Sequence, residues 1–257
     1  MKKIMATVML AVGLLASNYM GAEATDIVTT PGMSQEEVLP PVQVNMNVQV
    51  GTGTYQVTSV AEDNRTVKYI APVNQNCTKA VVPATITLAE DGNVYKVTSI
   101  KANAFQDCKK LRTIHIGSNV AYIGKEAFKN CAKLAKIEIP NSVISVGAKA
   151  FINCTSLKKV TIGNNVPKIN SYTFFKCTSL ETVVMGSGIK TIGTSAFSGC
   201  KNLKTIQINS KNLKTVNKNA FYGIQKKAVV KVPSSKVSSY TKLLKKRVPS
   251  TVSIKKK

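Results

Sequence analysis

Phe105, Phe128, Phe151, Phe174 and Phe197 stand 23 residues apart, and Phe221 follows after 24. A fixed period of that length marks a solenoid, because a unit so short cannot bury an apolar face alone and must stack on its neighbours to make a core. The repeat therefore commits almost every large hydrophobe between residues 105 and 221 to packing before any function is considered.

Counted from each Phe, the same residue types recur at fixed steps. Three residues on are Cys108, Cys131, Cys154, Cys177 and Cys200, and three further are Leu111, Leu134, Leu157, Leu180 and Leu203. The pairs Ile114/Ile116, Ile137/Ile139, Val160/Ile162, Val183/Met185 and Ile206/Ile208 alternate with polar residues, the mark of a short strand with one buried face. A second apolar pair follows in each unit, for example Val143 with Val146. Directly after it stands Gly124, Gly147, Asn170, Gly193 or Asn217, residues that accept a left-handed backbone, so a corner of the coil is expected at that step. The columns predict coils whose strands stack into a parallel sheet.

The phrase Ala-Phe-x-x-Cys-x-x-Leu-x-x-Ile-x-Ile-x-x-x-Val-x-x-Ile/Val-Gly, seen over residues 127–147, resembles the BspA-type bacterial leucine-rich repeat. The resemblance covers about half the chain and implies a β-rich leucine-rich repeat solenoid with short helical or irregular turns. It further implies an exported or surface-displayed binding protein, with adhesion among the roles of the family, and it brings no catalytic motif. It names no ligand.

At the amino terminus, Lys2 and Lys3 precede an apolar run over residues 4–16, and Ala22-Glu23-Ala24 fits a small-x-small cleavage site. Residues 1–24 thus read as a secretory signal peptide, with cleavage near Ala24. A membrane anchor is the alternative, but the run is shorter than the ~20 residues a span needs. Residues 25–41, with Pro31-Gly32 and Pro40-Pro41, read as a flexible leader. Residues 42–100 read as a β-rich amino-terminal cap: valine and methionine alternate over 42–50, and hairpin turns are expected at Glu62-Asp63-Asn64 and Asp91-Gly92-Asn93. The near-copies Tyr55-Gln56-Val57-Thr58-Ser59-Val60 and Tyr95-Lys96-Val97-Thr98-Ser99-Ile100 suggest two equivalent strands. Repeats occupy 101–221, and 222–257 reads as a closing cap: a strand over 229–232, a helix over 234–246 presenting Val237, Tyr240 and Leu244, and a short strand at Val252 and Ile254.

Charge is uneven. The chain carries a net +24, yet residues 108–257 hold 29 Lys or Arg against Glu126, Glu138 and Glu181, while residues 1–107 hold seven bases against nine acids. Two readings stand. Lysine keeps repeat surfaces and sheet edges soluble and unpaired, or it attracts acidic polymers with salt-dependent, weakly specific affinity. The absence of Trp and of aromatics interleaved with the lysines argues against specific nucleic-acid binding. The densest basic cluster holds Lys242, Lys245, Lys246 and Arg247.

Six cysteines in an exported chain would ordinarily suggest disulfides. Five share one column, however, and parallel side chains on stacked coils keep Cβ atoms about 4.8 Å apart, beyond the ~3.8 Å a disulfide prefers. Buried free thiols are expected, and Cys77 falls outside the column. Thiols on a single row cannot surround an ion, so neither metal nor cofactor is expected. His115 is the single histidine and lies between strand aliphatics, and Gly51-Thr52-Gly53 reads as a turn, so no catalytic residue is assigned and an enzyme is not expected.

The function expected is a protein- or glycan-binding module, with a cationic protein associating with acidic polymers as the alternative. The partner face would be made by outward strand residues: Thr113, His115, Lys136, Glu138, Lys159, Thr161, Thr182, Val184, Thr205 and Gln207. Lys242, Lys245, Lys246 and Arg247 form the candidate polyanion patch.

Overall fold

The computed structural model describes residues 40–257. The expected signal peptide and nearly all of the expected leader lie outside the described residues. Through the 23-residue repeats the chain is a parallel-strand solenoid, and three sides of each coil are held by different backbone bonds.

The first side is a sheet of four-residue strands. β4 (Lys79–Val82) pairs with β7 (Thr113–Ile116), and β9 (Lys136–Ile139), β11 (Lys159–Ile162), β13 (Thr182–Met185), β15 (Thr205–Ile208), β17 (Val229–Val232) and β18 (Ser253–Lys256) form one parallel six-stranded ladder. β7 and β9 lie side by side, joined by the Ala135 N–H donating to the Arg112 carbonyl at 3.2 Å. Register is fixed by the repeat: Lys159 sits opposite Lys136 and Thr182, and Val160 opposite Ile137 and Val183.

The second side carries two-residue strands, β8 (Tyr122–Ile123), β10 (Ser145–Val146), β12 (Lys168–Ile169), β14 (Thr191–Ile192) and β16 (Thr215–Val216). Here the ladder breaks between β10 and β12. The residue before each of these strands donates its N–H to the coil behind it, as in Ile144 to Ala121 at 2.9 Å and Lys190 to Pro167 at 2.8 Å. At this step the third coil has Pro167, which has no N–H to give. Three residues on, Asn170 compensates with its side-chain amide, donating to the Val146 carbonyl at 2.6 Å.

The third side has no strand and runs through the Phe column. Its amides alternate: Phe128 donates forward to Ala150 of the next coil at 2.7 Å, while Lys129 donates back within its own coil to Glu126 at 3.0 Å. This alternation needs left-handed residues two before and two after each Phe, such as Glu126 (φ 56°) and Asn130 (φ 60°), or Lys149 (φ 59°) and Asn153 (φ 60°). The corner expected at Gly124, Gly147, Asn170, Gly193 and Asn217 is therefore displaced, since none of these has positive φ. Glycine serves there for close approach instead. A Cβ at Gly147 would lie 2.4 Å from the Lys125 amide nitrogen of the preceding coil.

Inside, the six Phe rings form a ladder with centroids 4.9–5.3 Å apart and planes within 10° of parallel. The spacing is imposed by the ~4.8 Å backbone repeat, and an offset stack is the arrangement aromatic quadrupoles favour at that distance. Tyr69 extends the ladder, stacked 5.0 Å from Phe105, and Tyr55 meets Tyr69 edge-on at 5.3 Å. The cysteines lie beside the rings, all six free and the five of the column fully buried. Each thiol from Cys131 to Cys200 donates to the carbonyl of the Phe 26 residues earlier, as Cys154 Sγ does to Phe128 at 3.1 Å. Burial pushes the Cys108 and Cys200 thiols up to about 12.

Before the repeats, β1 (Asn47–Val50), β2 (Gly53–Ser59) and β3 (Thr66–Pro72) form an antiparallel meander, and β5 (Thr85–Thr87) pairs with β6 (Val94–Ile100), so both expected hairpins form. Two expectations change. The alternation over 42–50 yields a strand only from Asn47, because Asn45 turns left-handed at φ 73°. The near-copies β2 and β6 are not equivalent: β3 lies between them, antiparallel to β2 and parallel to β6. After the repeats, α1 spans Val237–Leu244, shorter than the sequence suggests, with Tyr240 and Leu244 buried. Among the described residues no helix is long and apolar enough to cross a membrane.

Candidate functional site

Because the register is exact from coil to coil, outward side chains of the first sheet line up in two rows. One runs Lys79, Thr113, Lys136, Lys159, Thr182, Thr205, Val229, Ser253, and the other Val81, His115, Glu138, Thr161, Val184, Gln207, Lys231, Lys255. All ten residues expected on a partner face lie in these two rows. Thr113, His115, Lys136, Glu138 and Lys159 are exposed, whereas Thr161, Thr182, Val184, Thr205 and Gln207 are half-buried between their neighbours.

The structure adds Lys79 and Val81 at one end and Val229, Lys231, Ser253 and Lys255 at the other. β4 escapes the repeat pattern because its offset to β7 is 34 residues, as in Lys79 opposite Thr113. β17 and β18 were legible as strands, but their shared register with the repeats shows only in the fold. The resulting strip is zoned. Its middle, from Thr161 to Val229, presents hydroxyls, an amide and valines without charge, while lysines stand at both ends.

Eight strands at about 4.8 Å give a strip about 34 Å long and about 13 Å wide. Few charges on it are compensated. Lys136 Nζ reaches Glu138 Oε1 at 4.0 Å across the same strand, and beside the strip Lys204 reaches Glu181 at 3.9 Å. Glu126 takes Lys129 at 3.0 Å and Lys149 at 3.8 Å, and it is held below the usual carboxylate range, first by the Lys129 hydrogen bond. All three acids beyond residue 107 are thus already paired. Among the described residues most of the 29 bases there have no carboxylate partner, and the field around the solenoid is positive.

The four residues of the candidate polyanion patch are all exposed. Lys242 and Lys245 lie on α1 and its end, while Lys246 and Arg247 line a cavity of about 340 Å³ with Asn219, Tyr222 and Pro249. Tyr222 was missed in sequence, since its position after the column Phe is also filled by Gln106, Lys129 and Ser198. Cys77 is half-buried beside the amino-terminal meander. Among the described residues no group of three or more His, Cys, Asp or Glu is placed to hold a metal ion.

The stacked coils, the Phe ladder and the Cys–Leu columns together describe one repeat family. The description "BspA type Leucine rich repeat region" matches residues 98–228 in six copies, just over half of the chain. The chain belongs to the BspA-type leucine-rich repeat family. Among solved structures, a leucine-rich repeat protein of T. pallidum is similar at 24% identity and a TM-score of 0.53, over 74% of this chain and 92% of that one. A leucine-rich repeat protein from Eubacterium ventriosum is similar at 23% identity and a TM-score of 0.50, over 66% of this chain and 50% of that one. At these identities the likeness shows the shared fold. No curated protein matches the chain.

Proposed function

We propose that this BspA-type repeat protein is a secreted or surface-displayed binding module, without catalytic activity, whose partner is a glycan or an extended peptide lying across the strands of the first sheet. The observation that carries the reading is the uncharged strip Thr161, Thr182, Val184, Thr205 and Gln207, held in exact register by parallel pairing. Its size favours an extended ligand. Even the whole strip of about 34 by 13 Å, its charged ends included, offers roughly 450 Å², well below the ~800 Å² per partner of a standard protein interface. Export rests on the amino-terminal sequence, with its two lysines, apolar run and small-x-small site.

A second reading, association with acidic polymers, is favoured by the uncompensated lysines after residue 107. One experiment separates the two. Full-length protein is applied to mucin, cell-wall and matrix fractions at about 0.1 M and about 1 M salt, where the Debye length falls from ~10 to ~3 Å. Strip binding survives high salt and is lost in Thr182→Ala/Gln207→Ala. Retention that vanishes at high salt and ignores those substitutions refutes the strip and leaves the charge.

A further inference from the structure

We infer that the cleft between the turn after Phe221 and the chain leaving α1 is a binding site for one acidic sugar unit. It deepens the polyanion reading, from which it takes only the sign of the ligand.

The cleft is built by parts of the chain about 24 residues apart in sequence and fixed on both walls. On one wall α1 is anchored by Tyr240, whose buried hydroxyl accepts from the Leu213 N–H at 2.9 Å and donates to the Ser210 carbonyl at 3.0 Å. The chain then folds back, with the Arg247 and Val248 amides both donating to the Leu244 carbonyl at 2.7 and 3.2 Å. Beyond the cleft, Thr251 donates its hydroxyl to the Lys226 carbonyl, and the Ser253 N–H donates to Ala228 at 3.2 Å, which pins the segment to the last sheet strands. On the other wall, Tyr222 is tied to the turn by its N–H to Asn219 at 3.1 Å, and its carbonyl accepts from Gly199 at 2.8 Å. A pocket so held loses little freedom when a ligand enters.

The lining specifies the ligand. Tyr222 is 70% exposed, the most exposed large hydrophobic side chain among the described residues. Such a ring, apolar in body and polar at its tip, suits the apolar face of a pyranose. Lys246 and Arg247 border the same space with no carboxylate partner among the described residues, and no Asp or Glu occurs after Glu181. A guanidinium forks onto a carboxylate or sulfate through two parallel hydrogen bonds, and an ammonium adds a point charge. Asn219 contributes an amide that both donates and accepts, as sugar hydroxyls require. The volume of about 340 Å³ lies at the lower end for small-ligand sites, enough for one ring. Single-stranded nucleic acid is a poorer match, because it uses successive aromatic platforms, whereas of the two aromatic residues lining this cleft Phe221 is buried and Tyr222 alone is exposed.

The test is calorimetric titration of the full chain with a hyaluronan tetrasaccharide, a sulfated tetrasaccharide, a neutral cellotetraose and an oligothymidylate, alongside elution from a heparin column. The acidic tetrasaccharides should bind saturably and the neutral one should not. Tyr222→Ala and Arg247→Ala should each weaken binding roughly tenfold, the loss of one stacking or charge-assisted contact. Tyr222→Phe should retain it, as should Lys242→Ala/Lys245→Ala. Retention on heparin without tetrasaccharide binding would overturn the site and leave the diffuse charge standing. Failure of both would remove both readings. Tighter, Tyr222-dependent binding of the oligothymidylate would overturn the sugar assignment.

Discussion

Replacing Phe151 with Leu tests whether the ring ladder stabilises the solenoid as a stack or only as buried volume. Phe151 is fully buried and stacked on both faces, 4.9 Å from Phe128 at 3° and 5.2 Å from Phe174 at 8°. Phe221 is equally buried but closes the ladder, with one stacked neighbour, Phe197, at 5.3 Å. Leucine keeps most of the apolar volume at either site, so both substitutions carry a shape cost below about 1.5 kcal/mol. Each aromatic pair adds about 0.5–1.5 kcal/mol beyond area burial, so Phe151→Leu loses about 1–3 kcal/mol of stacking and Phe221→Leu about half that. Alanine at either position opens a cavity and costs about 3–5 kcal/mol, which sets the scale. The readout is urea unfolding followed by circular dichroism and tyrosine fluorescence, the chain having no Trp. At a slope of about 1–3 kcal/mol per molar, the two Leu variants should separate by a few tenths of a molar in midpoint, with Phe151→Leu the less stable. Equal midpoints, or the reverse order, would refute the stacking argument and reduce the ladder to volume.

Gly147→Ala should destabilise more than Gly199→Ala. The first drives a Cβ to 2.4 Å from backbone in the preceding coil, whereas the second meets nothing nearer than 3.3 Å and incurs only the ~1–2 kcal/mol of a left-handed alanine at φ 78°. Thermal melts of the pair, with the order reversed, would return the corner to the glycine column. The thiol column predicts alkaline sensitivity: Cys108 and Cys200 stay protonated in the fold to about 12 against an ordinary 9.0, so the unfolded chain binds fewer protons above pH 9. Their contribution is complete below about pH 9 and is lost as pH rises towards 12, so stability should fall across that window. Cys108→Ser/Cys200→Ser should flatten the slope, and an unchanged slope would refute the assignment.

The columns were readable because burial itself has a period. A residue that faces the core once in 23 steps must be apolar each time, so Phe, Cys, Leu and the strand aliphatics announce the coil, the parallel sheet and the ten outward residues of the strip. The same logic fails at the corners. Two residues after each Phe, left-handed φ falls mostly on Asn, Asp or Gly, but two residues before it falls also on Glu126, Lys149 and Tyr172, residue types that do not advertise it, and it persists there because their N–H groups are needed by the next coil. The glycines that seemed to mark the corner answer instead to a backbone one coil away, a distance no local pattern contains.

From sequence alone came the repeat, its register and the sign of its charge, since each depends on residue type counted along one chain. The tertiary structure alone decided what lies beside what. Pro167 breaks the second ladder because a donor is missing only once coils are stacked. Lys79, Val81, Lys231 and Lys255 join the strip because strands outside the 23-residue period still pair at backbone spacing. Tyr222 shares a cleft with Lys246 and Arg247 because a helix anchored through Tyr240 folds the chain back on itself. Periodicity encodes contact with the core, whereas contact between surface side chains depends on where the backbone returns.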